Sequence, residues 1–287
     1  MQPEREVTGM QSPVLQKEAV CTLRIPEFDL DQTLNCGQSF RWRREADGDF
    51  IGVAGRYPAR MRQQGDDILI ISTADEAFWR YYFDTDTDYG ALRRLFCNTE
   101  QLVEPCLCAG GIRILRQDGW EALASFIISQ NNNIKRISGI IERLCEGFGD
   151  AVGEGVCAFP PPERLAGCTV EDLAPLRCGF RARYLIDAAR KVCDGTVRLD
   201  ALGGLPLPEA RDMLTQIVGV GRKVADCALL FGFYRLECFP VDVWIGRALK
   251  ELFADGFPEE LAPYAGIAQQ MLFHYMRTRP KQSGNGT

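Results

Sequence analysis

The sequence has one histidine, His274, in 287 residues, no long apolar run and no surplus of basic charge. With a single imidazole, and Cys106 and Cys108 as the one close cysteine pair, no metal site is expected. No stretch reaches the roughly 18 apolar residues of a membrane-spanning helix, so no membrane association is expected. Lys and Arg number 33 against 39 Asp and Glu, a net charge of −6, which argues against a protein that holds nucleic acid by bulk charge. The opening MQPEREVTGMQSPVLQ lacks the apolar centre of a secretory signal, and an intracellular location is expected. The 12 cysteines lie scattered through apolar segments such as ERLCEGF and VADCALL, which favours reduced, buried thiols over a disulfide framework. No internal repeat is visible.

A hydrophobic content of 46% supports a substantial core. Residues 1–18 are polar and aperiodic, and 278–287 end in RPKQSGNGT; both are expected to be flexible tails. Between Ala19 and Ser72 short runs such as VCTLRI, SFRWR, DFIGVAG, ARMRQQ and DILIIS are divided by Asp-Gly or Gly-Asp turns, the pattern of an antiparallel sheet. Helical periodicity follows, at about 75–83 and 88–108, then through GWEALASFIISQ, NIKRISGIIERLCEGFG and RARYLIDAARKVCDG, with a last helix near 262–277. The expected class is α+β: an N-terminal domain at 19–109 with an antiparallel sheet, then a mostly helical body at 110–277.

Residues 217–250, IVGVGRKVADCALLFGFYRLECFPVDVWIGRALK, carry the chemistry. Two helices flank the IVGVG turn, making a helix-hairpin-helix over 208–233, with Pro208 suited to a first turn. Gly219 and Gly221 permit tight turning and close approach, so the amides opening the second helix, including that of Val224, can face an anion such as a DNA phosphate. Such a grip has no base specificity. Lys223 sits in the first turn of that helix beside apolar neighbours, and both influences favour the free amine, a nucleophile able to form a Schiff base. Asp242 follows Pro240 and precedes the helical VWIGRALKEL; a chain reversal over 234–239 brings it near the amine, where a carboxylate can stabilise a cationic sugar. Plain readings stand beside these: Lys223 as a solvated charge, Asp242 as an N-cap.

Together, hinge glycines, lysine and aspartate in this register resemble the helix-hairpin-helix, Gly/Pro-Asp superfamily of DNA glycosylases, in which the lysine marks bifunctional glycosylase/lyases. That superfamily's iron–sulfur branches carry four C-terminal cysteines, whereas no cysteine follows Cys238 here. Further segments resemble the 8-oxoguanine glycosylases of prokaryotic type. In LNCGQSFRW, Gly37 matches the glycine whose carbonyl approaches the damaged base; a fixed acceptor attracts the N7–H of 8-oxoguanine and repels the lone pair of guanine. In SQNNNIKRISG, Asn131 matches the residue filling the gap left by the extruded nucleotide, and with Arg136 and Arg181 it is expected to bond the orphaned cytosine. Phe180 matches a wedge position. Cys227 and Phe273 match the two faces of the base pocket, Gln269 a contact to the base's Watson–Crick edge, and Phe231 lies near the same wall.

The resemblance implies base-excision repair on double-stranded DNA containing an oxidised purine, by a monomer without metal or organic cofactor. Two positions depart from it: Trp244 stands where eukaryotic relatives commonly have histidine, and Met276 where they have aspartate. Residue by residue, other readings remain: a tight turn at Gly37, a polar cap in the asparagine run, core packing for Phe180, Cys227 and Phe273. An alkyl-base glycosylase of the same fold is opposed by Lys223 and Gly37. A non-catalytic DNA clamp would leave Lys223 and Asp242 without a task.

Overall fold

A computed structural model describes residues 19–153 and 155–279; the expected tail at 1–18 and most of that at 278–287 lie outside them. The chain opens with β1 (Ala19–Arg24), α1 (Leu30–Asn35), β2 (Arg43–Arg44), β3 (Phe50–Ala54), β4 (Tyr57–Gln64), β5 (Asp67–Ser72) and α2 (Glu76–Tyr82). It continues as α3 (Tyr89–Phe96), α4 (Glu100–Ala109), α5 (Gly119–Ser129), α6 (Ile134–Phe148), a small ribbon of β6 (Ala151–Gly153) and β7 (Val156–Cys157), and α7 (Pro162–Ala166). The last elements are α8 (Arg181–Cys193), α9 (Leu207–Thr215), α10 (Arg222–Phe233), α11 (Val243–Leu252) and α12 (Ala265–Thr278). The α+β expectation, an antiparallel sheet followed by a helical body, is met.

The five strands order as β1-β5-β4-β3-β2, all antiparallel. Alternation sets the register: Leu23 faces Ile68 and Met61 faces Ile70, all fully buried, while Arg60, Arg62 and Leu69 point away. The inward row packs on Trp79 and Phe83, and the Trp42 indole donates to Tyr82 Oη at 2.8 Å. Burying each large apolar side chain of this set contributes roughly 1.5–3 kcal/mol.

Two expectations need correcting. The helix anticipated over 88–108 is two helices, because Cys97–Thr99 form a turn that ends α3 and restarts as α4. The SFRWR run is not a strand apart from Arg43–Arg44: Phe40 enters the helical core and Trp42 the sheet core, so its alternation serves two cores rather than one pleat.

In the helical body α5 is mostly apolar and is buried on every side from Trp120 to Ile128. It packs against α10, where Phe126 and Phe231 stack at 5.2 Å. At the far end of α10, Tyr234 takes left-handed φ, hydrogen-bonds buried Asp84, and receives Arg116 over its ring at 3.2 Å. Arg116 also bonds Asp84 at 2.8 Å, so the helix that carries Lys223 is fixed to the N-terminal part.

Candidate active site

The helix-hairpin-helix forms as expected from α9 and α10. Gly221 is the N-cap of α10 and offers no side chain to its first turn, so the amides of 222–224 keep their hydrogen-bonding capacity for an external acceptor. Gly219 has φ +80°, and a Cβ there would lie 2.4 Å from the Tyr184 ring. From the same helix, Asp187 Oδ2 accepts from the Val218 amide at 2.7 Å and from Lys191 Nζ at 2.9 Å. Lys191 also donates to the Gln216 carbonyl at 2.5 Å. Arg211 pins the hairpin from inside, 2.6 Å from buried Asp226. None of these supports is a sequence-predicted site residue. Their one signal was the spacing of Tyr184, Asp187 and Lys191 along one side of α8.

Lys223 is half-buried, its Nζ 5.7 Å from the centre of the Phe126 ring. Phe126 stands between Phe40, edge-on at 5.7 Å, and Phe231. Phe231 is thus a core ring one layer behind Phe126. One helical turn beyond Lys223, burial pushes the Cys227 thiol up to about 11; the Lys223 charge opposes that rise and the Asp242 charge adds to it. A thiol so placed stays protonated at neutral pH and is a poor nucleophile. The charges of Lys223 and Asp242 thus act on the Cys227 thiol in opposite directions. Asp242 is the N-cap of α11, its Oδ1 accepting from the Ile245 amide at 2.8 Å, so the plain reading of this residue holds.

Helix α12 brings the remaining pocket residues. Gly266 lets it approach α10, since a Cβ there would stand 2.3 Å from Leu230 Cδ1. Gln269 and Phe273 follow at helical spacing from Gly266, as Lys223 and Cys227 precede Leu230. Gln269 is buried; its Nε2 donates to the Pro240 carbonyl at 3.0 Å, and its Oε1 accepts from Gln270 at 2.9 Å. One N–H and one lone pair of that amide remain. Gly37, far away in sequence, comes to α12: its Cβ position is 3.6 Å from Phe273 Cε1, an ordinary contact, so the φ of +81° and not crowding favours glycine there. Among the described residues no donor is paired with its carbonyl. The Arg277 guanidinium carbon lies 5.1 Å from the centre of the Phe273 ring.

A second group lies at the start of α8. Asn131 is exposed with φ +47°. Arg181 is buried and binds carbonyls: Nε to Gln130 at 2.8 Å, Nη1 to Cys178 at 3.1 Å, Nη2 to Asn131 at 2.9 Å and again to Gln130. Four of five donors are thereby used, and its main work is to hold the Asn131 turn. Burial, then the Arg136 charge, hold its pKa below the ordinary arginine value. Phe180, 46% exposed, lies with its ring 4.5 Å from the Arg181 guanidinium carbon and edge-on to Tyr184 at 5.7 Å. The wedge candidate and the hairpin turn therefore share a support.

Several cations near these motifs are engaged internally. Arg41 is buried beside Glu121 at 3.7 Å, Arg43 pairs with Glu45 at 2.9 Å and Arg44 with Asp31 at 3.6 Å. Trp244 is half-buried under Arg247 at 5.1 Å, and Met276 lies in the helical core. A cavity of about 800 Å³ opens between the β3–β4 surface and α6, lined by Trp42, Val53, Ile141 and Val156. None of the predicted site residues lines it; cavity size and chemistry separate here, and the residue geometry is the better guide to the reaction. Among the described residues no cluster of three or more His, Cys, Asp or Glu side chains suits a metal, and no helix is long and apolar enough to cross a membrane.

Comparison with known proteins gives this geometry a family. Residues 21–123 match the 8-oxoguanine DNA glycosylase N-terminal domain, and residues 124–260 the HhH-GPD superfamily base excision DNA repair protein. The N-glycosylase/DNA lyase of Saccharomyces cerevisiae is 31% identical over 258 residues, covering 78% of this chain and 68% of that one. The 8-oxoguanine glycosylase/lyase of Clostridium acetobutylicum, in complex with double-stranded DNA containing cytosine opposite 8-oxoguanine, superposes with a TM-score of 0.82 at 34% identity, over 88% of this chain and 92% of that one. MBOgg1, in complex with a low affinity DNA ligand, gives 0.83 at 40% identity, over 91% and 98%. The chain belongs to the 8-oxoguanine glycosylase/lyase family within the HhH-GPD superfamily of base excision DNA repair proteins.

Proposed function

We propose that this chain is a bifunctional DNA glycosylase and apurinic/apyrimidinic lyase that flips 8-oxoguanine out of double-stranded DNA, preferentially opposite cytosine, and excises it through a Schiff base on Lys223. The place of Lys223 carries the reading: it stands in the first turn of α10 with its amine 5.7 Å from the centre of the Phe126 ring, and its charge and that of Asp242 both act on the Cys227 thiol. Phosphate is held by amides at Gly219, Gly221 and Val224, where the hairpin leaves first-turn donors free. Phe180 enters the base stack and Asn131 fills the vacated space, with Arg136 and the last Arg181 donor toward the orphaned cytosine.

The flipped base lies between Cys227 and Phe273, backed through Phe126 by Phe231. Gly37 accepts from N7–H, and Gln269 offers its remaining N–H and lone pair to the Watson–Crick edge. Lys223 Nζ then bonds C1′ as the C1′–N9 bond breaks, the electron pair leaving with the base, which takes up a proton. Asp242 faces the positive charge that develops on the sugar, an interaction of the type worth about 10²–10³ in rate. Opening of the sugar gives the Schiff base; loss of a C2′ proton expels the 3′ phosphate and nicks the strand. The working unit is a monomer, and the route requires no metal or organic cofactor.

Borohydride with an 8-oxoguanine:cytosine duplex is expected to trap a covalent complex that Lys223→Gln abolishes. Undiminished trapping in that variant would exclude Lys223 as the nucleophile. In a panel of damaged duplexes, preference for an alkylated purine would overturn the substrate.

A further inference from the structure

We infer that Gln38, the residue after the lesion-reading glycine, is the positioning residue that sets where the Gly37 carbonyl stands, and so sets lesion selectivity. The inference rests on the 8-oxoguanine reading above. Gly37 has φ +81°, and glycine's freedom leaves its own backbone a weak guide for the carbonyl. A hydrogen bond that separates one N7 proton from a lone pair needs the acceptor held within tenths of an ångström.

Gln38 supplies that restraint. It is 1% exposed, and both ends of its side-chain amide are hydrogen-bonded. Nε2 donates to the Arg113 carbonyl at 2.8 Å and to the Thr33 carbonyl at 3.0 Å, with Cys36 Sγ at 3.2 Å. Oε1 accepts from the Leu115 amide at 2.9 Å. Bonding a carbonyl and an amide two residues apart, the side chain docks on the 113–115 segment as a neighbouring strand would. It also ties that segment to the end of α1. On the other side of the same residue, Gln117 Nε2 donates to the Gln38 carbonyl at 2.8 Å. Cys36 completes the bracket: its thiol, pushed up to about 12 by burial, stays protonated and donates to Thr33 at 3.2 Å. The residues on both sides of Gly37 are thus fastened, Cys36 by its thiol and Gln38 by its side chain and its own carbonyl, while the Gly37 carbonyl has no partner among the described residues.

The Gln38 side chain bonds Thr33, Cys36, Arg113 and Leu115 and not Lys223, so its loss should affect reading of the base and spare the amine chemistry. The test compares two substrates: a duplex with 8-oxoguanine, which requires base recognition, and a duplex with a preformed abasic site, which does not. In Gln38→Leu, kcat/KM for 8-oxoguanine excision is expected to fall at least tenfold, while borohydride trapping on abasic DNA changes less than threefold. Gln117→Leu, which removes one fastening and leaves the Gln38 side chain in place, is expected to shift the same ratio in the same direction by a smaller factor. A parallel fall of both activities in both variants, or no fall in either, would overturn the role of Gln38. A wild-type chain that traps on abasic DNA and ignores 8-oxoguanine would instead overturn the substrate assignment, and this inference with it.

Discussion

Tyr184 occupies the space that a side chain at Gly219 would need, whereas nothing lies within 4 Å of the corresponding position at Gly221. The two hinge glycines of one turn are therefore unlike in kind. Gly219→Ala meets both a left-handed φ and an aromatic ring, and is expected to cost about 1–3 kcal/mol and to weaken duplex binding at least tenfold. Gly221→Ala keeps an extended backbone that any residue adopts, and should stay within about 1 kcal/mol of wild type. Thermal unfolding and duplex titration of the pair check this; equal losses would show that the Tyr184 ring does not decide the difference.

Asp242 has a capping task and the proposed catalytic one, and one substitution can separate them. Asparagine caps a helix about as well as aspartate, so Asp242→Asn should keep the bond to the Ile245 amide and leave stability nearly unchanged. It removes the negative charge that the proposed mechanism turns toward the sugar, and excision is expected to fall by about 10²–10³. Asp242→Ala should lose activity similarly and a further ~1 kcal/mol of stability with the cap. Single-turnover excision set beside unfolding midpoints distinguishes the outcomes, and an active Asp242→Asn would reduce the residue to its capping role.

The hairpin was legible because its signals are local. Pro208 opens one helix, Gly219 and Gly221 mark the turn, and the observed helices at Leu207–Thr215 and Arg222–Phe233 follow from them. The helix after Asp242 was legible for the same reason, running Val243–Leu252. What the sequence hid is tertiary. Nothing near Gly37 in the chain indicates that Phe273 packs beside it, and the resemblance alone suggested the pair. Arg181 reads as a cation for DNA, yet its donors go to the carbonyls of Gln130, Asn131 and Cys178, since a buried guanidinium must satisfy its N–H groups wherever acceptors converge. The Phe40 and Trp42 alternation reads as one strand face because a period of two does not reveal that two cores claim the residues.

Glu121 gives the fold a pH signature independent of the reaction. It lies buried at the start of α5, where burial pushes its carboxyl up to about 7, against the attraction of Arg41 and with the repulsion of Asp118. The unfolded chain releases that proton near the ordinary value of 4.5, so between these values the folded state holds the extra proton. Its contribution is present below the lower value and lost as pH rises through 7. Between pH 5 and 8 this amounts to roughly 2–3 kcal/mol. Glutamine keeps the volume and has no proton to lose, while Arg41 retains its bond to the Cys157 carbonyl. The stability of wild type relative to Glu121→Gln is therefore expected to decline from pH 5 to pH 8, measured as paired denaturant unfolding curves at each pH. A constant difference would mean that Arg41 keeps the carboxylate ionised throughout, and that the pair is a buried salt bridge rather than a proton-holding site.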